Sequence, residues 1–462
     1  LGVLLTLQDQ PAEAVTVLRR AEAEQPDHAQ LQVNLGTALL AVHRHDEAVV
    51  VSRAGHTAAA LNNLGLAYRG LGRQQDAADA FRRATGARWD HVQSWFNLAT
   101  TLSKLDRLEE ALQAAETASR VAPLDTPVPR LADVTNELGR ILMALGRPEE
   151  ALAACHRFLQ RHPGQGSVIW NMSLCLLLLG RFDEGWRAYE ERFGVGDHDP
   201  RPEGAIVLDP ARVAGKRVLI LTEQGRGDMV QFIRYAPLLA ERGATVLVQA
   251  YPDLVPLVAA VPGVTAAVST DDPRPQADLV TSVMSLPLAF GIHPANVPYL
   301  RVPPERPDLG PRTRPRVGVA WSGSTHSYER SAMPAETLAP LLALPGFEFH
   351  CLQKEILDRD QAWLDTAKPP INLHVRALGD FADTAALIDQ MDVIVTIDTA
   401  IVHLAGGLAK PVRVMLPFNP DWRWMLERQD SPWYPTARLF RQPTRGAWAP
   451  VVQAVVVDLN AD

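Results

Sequence analysis

Residues 391–416 read MDVIVTIDTAIVHLAGGLAKPVRVML, an apolar strand that stops at Asp398-Thr399, a helix that begins at once and carries His403, and then a second apolar strand. In an open α/β sheet this layout aims a helix N-terminus, with its free N–H groups and partial positive charge, into the crevice beyond a strand end. Phosphorylated ligands bind there. The plainer reading is a helix cap followed by one partly buried histidine. His403, however, lies one turn after Thr399, on the face that carries the helix's first N–H groups, and this favours a phosphate-binding unit.

Outward from this unit, strands and helices alternate. KRVLILTEQGRGDMVQFIRYAPLLAERG supplies a strand over 217–222, a glycine loop and an amphipathic helix, and ATVLVQA supplies the next strand. The proline-rich stretch PPERPDLGPRTRPR (303–316) separates this series from a second one: RVGVAW, a helix near 335–344, FEFHCLQ, a helix near 383–390 and the opening unit. Two βα-type domains joined by such a linker imply a cleft between them.

The first 193 residues are different in kind. An acidic residue followed by a small one recurs at Glu13-Ala14, Glu47-Ala48, Asp76-Ala77, Glu110-Ala111, Glu150-Ala151 and Glu184-Gly185, at spacings of 34, 29, 34, 40 and 34 residues. This is the arithmetic of helical-hairpin repeats, and five to six units are expected. Between the anchors lie Asn34-Leu35-Gly36, Asn63-Leu64-Gly65, Asn97-Leu98-Ala99 and Asn171-Met172-Ser173. Small residues admit a neighbouring helix, large ones fill its groove, and each unit buries its apolar face by stacking on the next. The 29-residue and 40-residue irregularities are expected to fall between helices. The Gly/Pro/Asp-rich GVGDHDPRPEG (194–204) ends the repeats as a linker.

The 462 residues are 47% hydrophobic with a net charge of -8, ample for about three buried cores and unsuited to nucleic acid or an anionic membrane, which select clustered Lys and Arg. Cys155, Cys175 and Cys351 are widely spaced and form no CxxC pair. Neither a disulfide framework nor a zinc site is indicated, and a cytoplasmic location fits. The longest apolar run, 167–180, is too short to span a bilayer. P-loop, GxSxG and HExxH motifs are absent.

Several residues invite chemistry at the predicted strand ends. Gly225 and Gly227 let the backbone turn tightly and approach a ligand, with Asp228 near the helix start, as a functional carboxylate or only a cap. Ser322, Gly323 and Ser324 follow the strand ending at Trp321, with Arg330 beyond; together they suit a phosphate or form a plain surface loop. Lys354 follows FEFHCLQ and either projects to the ligand edge or is solvated. Asp197-His-Asp199 and Asp358-Arg-Asp360 follow no apolar strand and are read as solvated. The segment 417–440 concentrates Trp422, Trp424, Trp433 and Tyr434, for stacking on a sugar or base or for packing a domain junction.

The repeat unit with Leu61, Leu64, Gly65, Tyr68, Ala77, Phe81 and Ala84 resembles the tetratricopeptide consensus. The stretches EQGRGDMVQFIRYAPLLAERG, SLPLAFG, VGVAWSGS, DFADTAALI, DTAIVHLAGGLAKPV and PDWRWMLERQDSPWYPTARLFRQ resemble bacterial proteins that fuse such repeats to a heptosyltransferase-like glycosyltransferase domain of the GT-B type, distantly similar to O-GlcNAc transferases. The resemblance implies a repeat solenoid (1–193), an acceptor-side Rossmann-like domain (194–300) and a nucleotide-sugar-binding one (301–462). It further implies that Asp228 is a general base, that Asp398, Thr399, Ala400 and His403 contact the donor diphosphate, and that Lys354 binds it too. The chain departs from the family after VGVAWSGS: Ser324 stands for an Asn, and in THSYERSAMP Ser331 occupies the usual arginine offset, with Arg330 one residue earlier.

The expected activity is metal-independent, inverting transfer of a sugar from a nucleotide-sugar donor to a protein or glycan acceptor presented by the repeats. No cofactor or metal is expected. The alternative is an interaction scaffold whose glycosyltransferase-like domain is inactive.

Overall fold

The structure is a computed structural model and describes residues 2–123, 126–195, 199–291, 297–302, 304–323 and 333–461. Contacts divide it into two compact units, Leu1–Met172 and Ser173–Asp462.

The first unit is built of antiparallel helix pairs: α1 (Gly2–Leu7) with α2 (Pro11–Glu24), α3 (Ala29–Ala41) with α4 (His45–Arg53), α5 (Ala58–Gly70) with α6 (Gln74–Ala87), α7 (Val92–Lys104) with α8 (Leu108–Val121), and α9 (Val128–Ala144) with α10 (Pro148–Arg161). Helix α11 (Gly166–Leu178) crosses the division, and α12 (Phe182–Tyr189) belongs to the second unit. The small residues of the repeat act as expected. A Cβ on Gly65 would stand 2.5 Å from the Phe81 ring, so only glycine lets this wholly buried phenylalanine of α6 seat against α5. Buried amides tie successive pairs, Asn97 donating to the Asn62 carbonyl oxygen at 2.9 Å and Asn63 to the backbone carbonyl of Val33 at 3.0 Å.

The acidic anchors have a second use. Glu47, Asp76, Glu110, Glu150 and Glu184 each sit in the first turn of the second helix and accept from the arginine three residues earlier, Arg44, Arg73, Arg107, Arg147 and Arg181. Negative charge at a helix start complements the macrodipole, and the next residue, alanine at the first four positions, is buried in the stack. The irregular spacings are not confined to loops. Helix α4 has 9 residues where α2, α6, α8 and α10 have 14, and α9 has 17 where α5 and α7 have 13. The stack accepts these changes because they alter helix ends, away from the small-residue contacts.

The second unit holds two parallel sheets. The first comprises β1 (Arg217–Leu221), β2 (Thr245–Ala250), β3 (Val264–Ser269) and β4 (Leu279–Ser282) in the order β3-β2-β1-β4, with α13 (Arg226–Phe232), α14 (Ala236–Glu241), α15 (Val255–Ala259) and α16 (Leu286–Phe290) between and after them. The second comprises β5 (Arg316–Ala320), β6 (Glu348–Cys351), β7 (Ile371–Leu373), β8 (Val393–Ile397), β9 (Val412–Leu416) and β10 (Ala437–Arg441), in the order β10-β9-β8-β5-β6-β7. Its helices are α17 (Ala339–Leu342), α18 (Asp358–Ala367), α19 (Phe381–Asp389), α20 (Ala400–Gly407) and α21 (Trp448–Ala461). Every residue of β5, β8 and β9 is buried, which explains their near-continuous apolar sequences: a parallel sheet is covered on both faces. Val317, Val319, Phe349, Val393 and Val395 form one core with Val451, Val452 and Val455 of α21.

The region is thus α/β, and both sheets reverse strand order next to their first strand, between β1 and β4 and between β5 and β8. Such switch points open a crevice at the carboxyl ends of the strands. The compact division at Met172 lies upstream of α12. The reason is α12 and the turn after it: Trp186, Tyr189 and Arg192 are buried against Trp422, Phe232 and Glu223 of the second unit. No described helix is long and apolar enough to cross a membrane.

Truncating Phe81 to Ala is expected to cost about 3–5 kcal/mol, because the flat groove made by Gly65 cannot collapse onto the missing ring. Urea titration followed by circular dichroism checks this, the transition of the repeats moving to lower urea.

Candidate functional site

The two switch points meet through α13 and α20, which pack together. Gly227 explains the closeness: a Cβ there would lie 3.1 Å from Cδ2 of His403 and 3.5 Å from Cα of Ala400. Across the cleft runs Arg423, from the turn after β9. Its guanidinium donates to Asp228 Oδ1, to Gln231 Oε1 at 2.7 Å and to Asp421 Oδ1 at 2.9 Å. Asp228 is the third residue of α13, and its Oδ2 accepts the Gly225 N–H at 2.7 Å. It is therefore half of a capping box and also one end of an ion pair. Burial pushes its carboxyl up, against the Arg423 charge and the Gly225 hydrogen bond.

The glycine loop is clamped from outside. Glu223 accepts two hydrogen bonds from the buried Arg192, at 2.7 and 3.1 Å, and one from Ser282 at the end of β4. Gln224 takes a positive φ of 57° and exchanges hydrogen bonds with the Tyr189 hydroxyl.

On the other side, Thr399 caps α20, its Oγ1 accepting from the Ile401 N–H at 3.3 Å. A Cβ on Gly323 would lie 3.5 Å from the Thr399 methyl, so the loops after β5 and β8 touch at the switch point. Asp398 directly follows β8, and its carboxyl is pushed up to about 7, first by burial and then by the Asp421 carboxylate. His403 is buried, stacked on Trp424 with centroids 6.1 Å apart, and its Nδ1 is 2.9 Å from the Tyr434 hydroxyl. Burial, then the cations Arg423 and Arg234, hold the imidazole well below its usual range, so it is neutral.

Gly225, Gly227, Asp228, Ala400 and His403 are thus brought together, with Thr399 and Gly323 beside them. Ser322 is not a free phosphate ligand: its hydroxyl accepts from Gln353 at 2.7 Å and its N–H donates to the same side chain at 3.0 Å. Lys354 is exposed and donates to the Gly379 carbonyl at 2.7 Å. Ser324 and Arg330 lie outside the described residues. Asp360 is buried, not solvated; it accepts the Trp321 indole N–H and the Ala335 N–H, both at 3.1 Å. The aromatic run is a packed junction, with Trp424, Trp433 and Tyr434 wholly buried. Arg423 sits in that run between two tryptophans, and nothing in the local sequence signals its role because its partners Asp228 and Gln231 are remote along the chain.

The tetratricopeptide-repeat family matches residues 4–54, 96–166 and 136–192, and a second tetratricopeptide-repeat family matches residues 57–85. The helix pairs are tetratricopeptide repeats. Protein FlbA of Caulobacter vibrioides is 27% identical over 445 residues, covering 86% of this chain and 72% of that protein, so the likeness extends beyond the repeats. Among solved structures, MamA is 16% identical over 35% of this chain and 94% of its own (TM-score 0.31). PilF of Pseudomonas aeruginosa is 21% identical over 35% and 74% (TM-score 0.32). YrrB, described as a TPR protein with an unusual peptide-binding site, is 19% identical over 38% and 89% (TM-score 0.32).

The raised pKa of Asp398 makes stability depend on pH. A carboxyl whose folded pKa is raised contributes stability that is complete below its unfolded value and is lost as pH climbs through the folded value, here from about 4 to about 7. Asp398→Asn keeps the shape and removes the ionisation. Its melting temperature relative to the wild type is therefore expected to rise between pH 5 and pH 8, and thermal melts across that range check it.

Proposed function

We propose that the second unit is a metal-independent, inverting glycosyltransferase of the GT-B kind, with a nucleotide-sugar donor seated at the β5/β8 switch point and the acceptor approaching from the β1/β4 side. The observation that carries this reading is the meeting of two switch points around Asp228, Arg423 and His403. In the proposed reaction an acceptor hydroxyl attacks the anomeric carbon, Asp228 takes its proton, and the bond to the nucleoside diphosphate breaks. The capped start of α20, with Thr399 and Ala400, and the neutral His403 donate to the departing phosphates, a pre-set dipolar environment that costs no reorganisation. Tetratricopeptide repeats suggest protein partners, which makes a protein the first choice of acceptor and a glycan the second.

A scaffold whose second unit lacks activity is the other reading, and one observation favours it: both oxygens of Asp228 are already engaged, by Arg423 and Gly225. A carboxylate has further lone pairs, so engagement does not abolish basicity. Thermal shift with a panel of nucleotide sugars and nucleoside diphosphates separates the readings, since a scaffold is stabilised by none.

Asp228→Asn is expected to lower turnover about 10²- to 10⁴-fold, the usual contribution of a positioned base, while nucleoside diphosphate affinity stays within about threefold of wild type on the scale of one hydrogen bond. His403→Gln and Thr399→Val are expected to weaken diphosphate binding itself. Isothermal calorimetry and a donor-turnover assay distinguish the two patterns; wild-type turnover in Asp228→Asn removes the base assignment.

A further inference from the structure

A buried cation that no carboxylate among the described residues pairs with lies behind His403. Arg234 is wholly buried, and the partners of its guanidinium are neutral: the carbonyls of Gln231 at 2.9 Å and Trp433 at 3.0 Å, and the Tyr299 hydroxyl at 3.5 Å. It lies over the rings of Tyr299 and Tyr434, 4.8 Å from each centroid. The Tyr299 hydroxyl is 3.4 Å from that of Tyr434, and Tyr434 is 2.9 Å from His403 Nδ1. Glycines at the end of α20 make room for this chain. A Cβ on Gly406 would strike the Tyr434 ring at 2.2 Å, and one on Gly407 would strike Leu300 at 2.6 Å. The Gly407 carbonyl in turn accepts the Tyr299 and Leu300 N–H groups at 3.0 and 3.1 Å.

The direction of these hydrogen bonds follows from what each group can do. Arginine only donates, so the Tyr299 oxygen accepts from Arg234 and its own hydrogen needs another acceptor. Within this buried group that acceptor is the Tyr434 oxygen, which sends the Tyr434 hydrogen to Nδ1 of His403. The opposite order would leave the Tyr299 hydrogen buried without a partner among the described residues, at a cost of about 1–3 kcal/mol. With Nδ1 an acceptor, a neutral imidazole carries its proton on Nε2. No described residue hydrogen-bonds to Nε2, which lies on the ring edge facing Gly227, 3.7 Å from a Cβ built there.

We infer that Arg234, Tyr299 and Tyr434 form a one-way hydrogen-bond relay that fixes His403 as the Nε2–H tautomer, so that the cleft meets its ligand with a neutral N–H donor at that position. The three are positioning residues: they act through His403. The burial and the nearby Arg423 and Arg234 that keep the imidazole neutral agree with this. That the ligand is a nucleoside diphosphate rests on the function proposed above; the tautomer does not.

The test is nitrogen NMR of the full-length protein with labelled histidine, the His403 signals being assigned by comparison with His403→Gln. The expected pattern is a protonated Nε2 and an unprotonated Nδ1, unchanged from pH 6 to pH 9. A protonated Nδ1, or an imidazolium at pH 7, overturns the inference. Tyr434→Phe keeps the ring and removes the donor, and should give a mixture of tautomers and a roughly three- to tenfold loss of ADP and UDP affinity, the scale of one hydrogen bond. Tyr299→Phe, which removes hydrogen bonds to Arg234 and Tyr434 and none to His403 itself, should move the His403 signals in the same sense. Unchanged His403 signals in both variants overturn the relay. An Nε2–H tautomer in a protein that binds no nucleoside diphosphate overturns the donor reading and leaves the relay standing.

Discussion

The cleft of the second unit depends on one buried cation. Arg423 comes from the segment after β9 of the six-stranded sheet, yet two of its three side-chain partners among the described residues, Asp228 and Gln231, belong to α13 of the four-stranded sheet. Its guanidinium lies 4.2 Å from the Trp422 ring centroid and 5.8 Å from that of Phe232, so the pair is enclosed by aromatic surface from both sides. Buried ion pairs are not cheap, because both charges lose water, but removing one partner strands the other. The two sheets are therefore held together by an interaction that neither can satisfy alone. Asp421 and Asp398 stand in the same electrostatic neighbourhood, and without Arg423 three carboxyls would face one another.

A second clasp sets the glycine loop. Arg192, 1% exposed, joins Glu223 at the end of β1 to Glu190 and to Ser285 beyond β4. It closes the β1/β4 switch point from outside, while Tyr189 holds Gln224 in its positive-φ turn. These residues lie in the sequence that matches the last tetratricopeptide repeat. The end of the repeat region is thus part of the α/β core, and the loop that leads into the helix of Asp228 owes its shape to residues outside both sheets. The aromatic contacts of Trp186 with Phe232 and Trp422 carry the same dependence into the packing.

Much of this was legible in the sequence, and what was not has physical causes. Period and small-residue positions identified the repeats, because Gly65 and Ala77 are dictated by helix approach and leave a local signature. The unit at 391–416 was readable because a fully buried strand, a cap and a helix follow one another with no intervening loop. Strand order was not readable, since nothing in β5 or β8 alone states that they are neighbours. Side-chain partners across large sequence separations were equally hidden. Ser322 reads as either a phosphate ligand or part of a plain surface loop, but Gln353, on the neighbouring strand's loop, occupies its hydroxyl; Asp360 reads as solvated, but accepts from Trp321 and Ala335. The shortening of α4 is not legible for another reason: a repeat length does not say whether the lost residues come from a loop or from a helix end.

The charge arrangement of the cleft follows from how its groups are buried. Arg423 is spent on Asp228 and Asp421, and Lys354 is committed to a backbone carbonyl. His403 is neutral by burial, and Asp398 is close to half-protonated near neutral pH. Under the proposed function, the groups that the described residues leave for a ligand are neutral donors: the capped start of α20, Thr399 and a histidine N–H. Dipoles of this kind recognise phosphate by direction more than by net charge, and within a low-dielectric cleft they hold their strength without drawing in other anions. The aromatic stretch, read from the sequence as either a stacking surface or a packed junction, is buried behind these donors. Tyr434 and Trp424 are buried against His403 and fix where its donor points, so that the most aromatic stretch of the chain acts on the cleft through one imidazole.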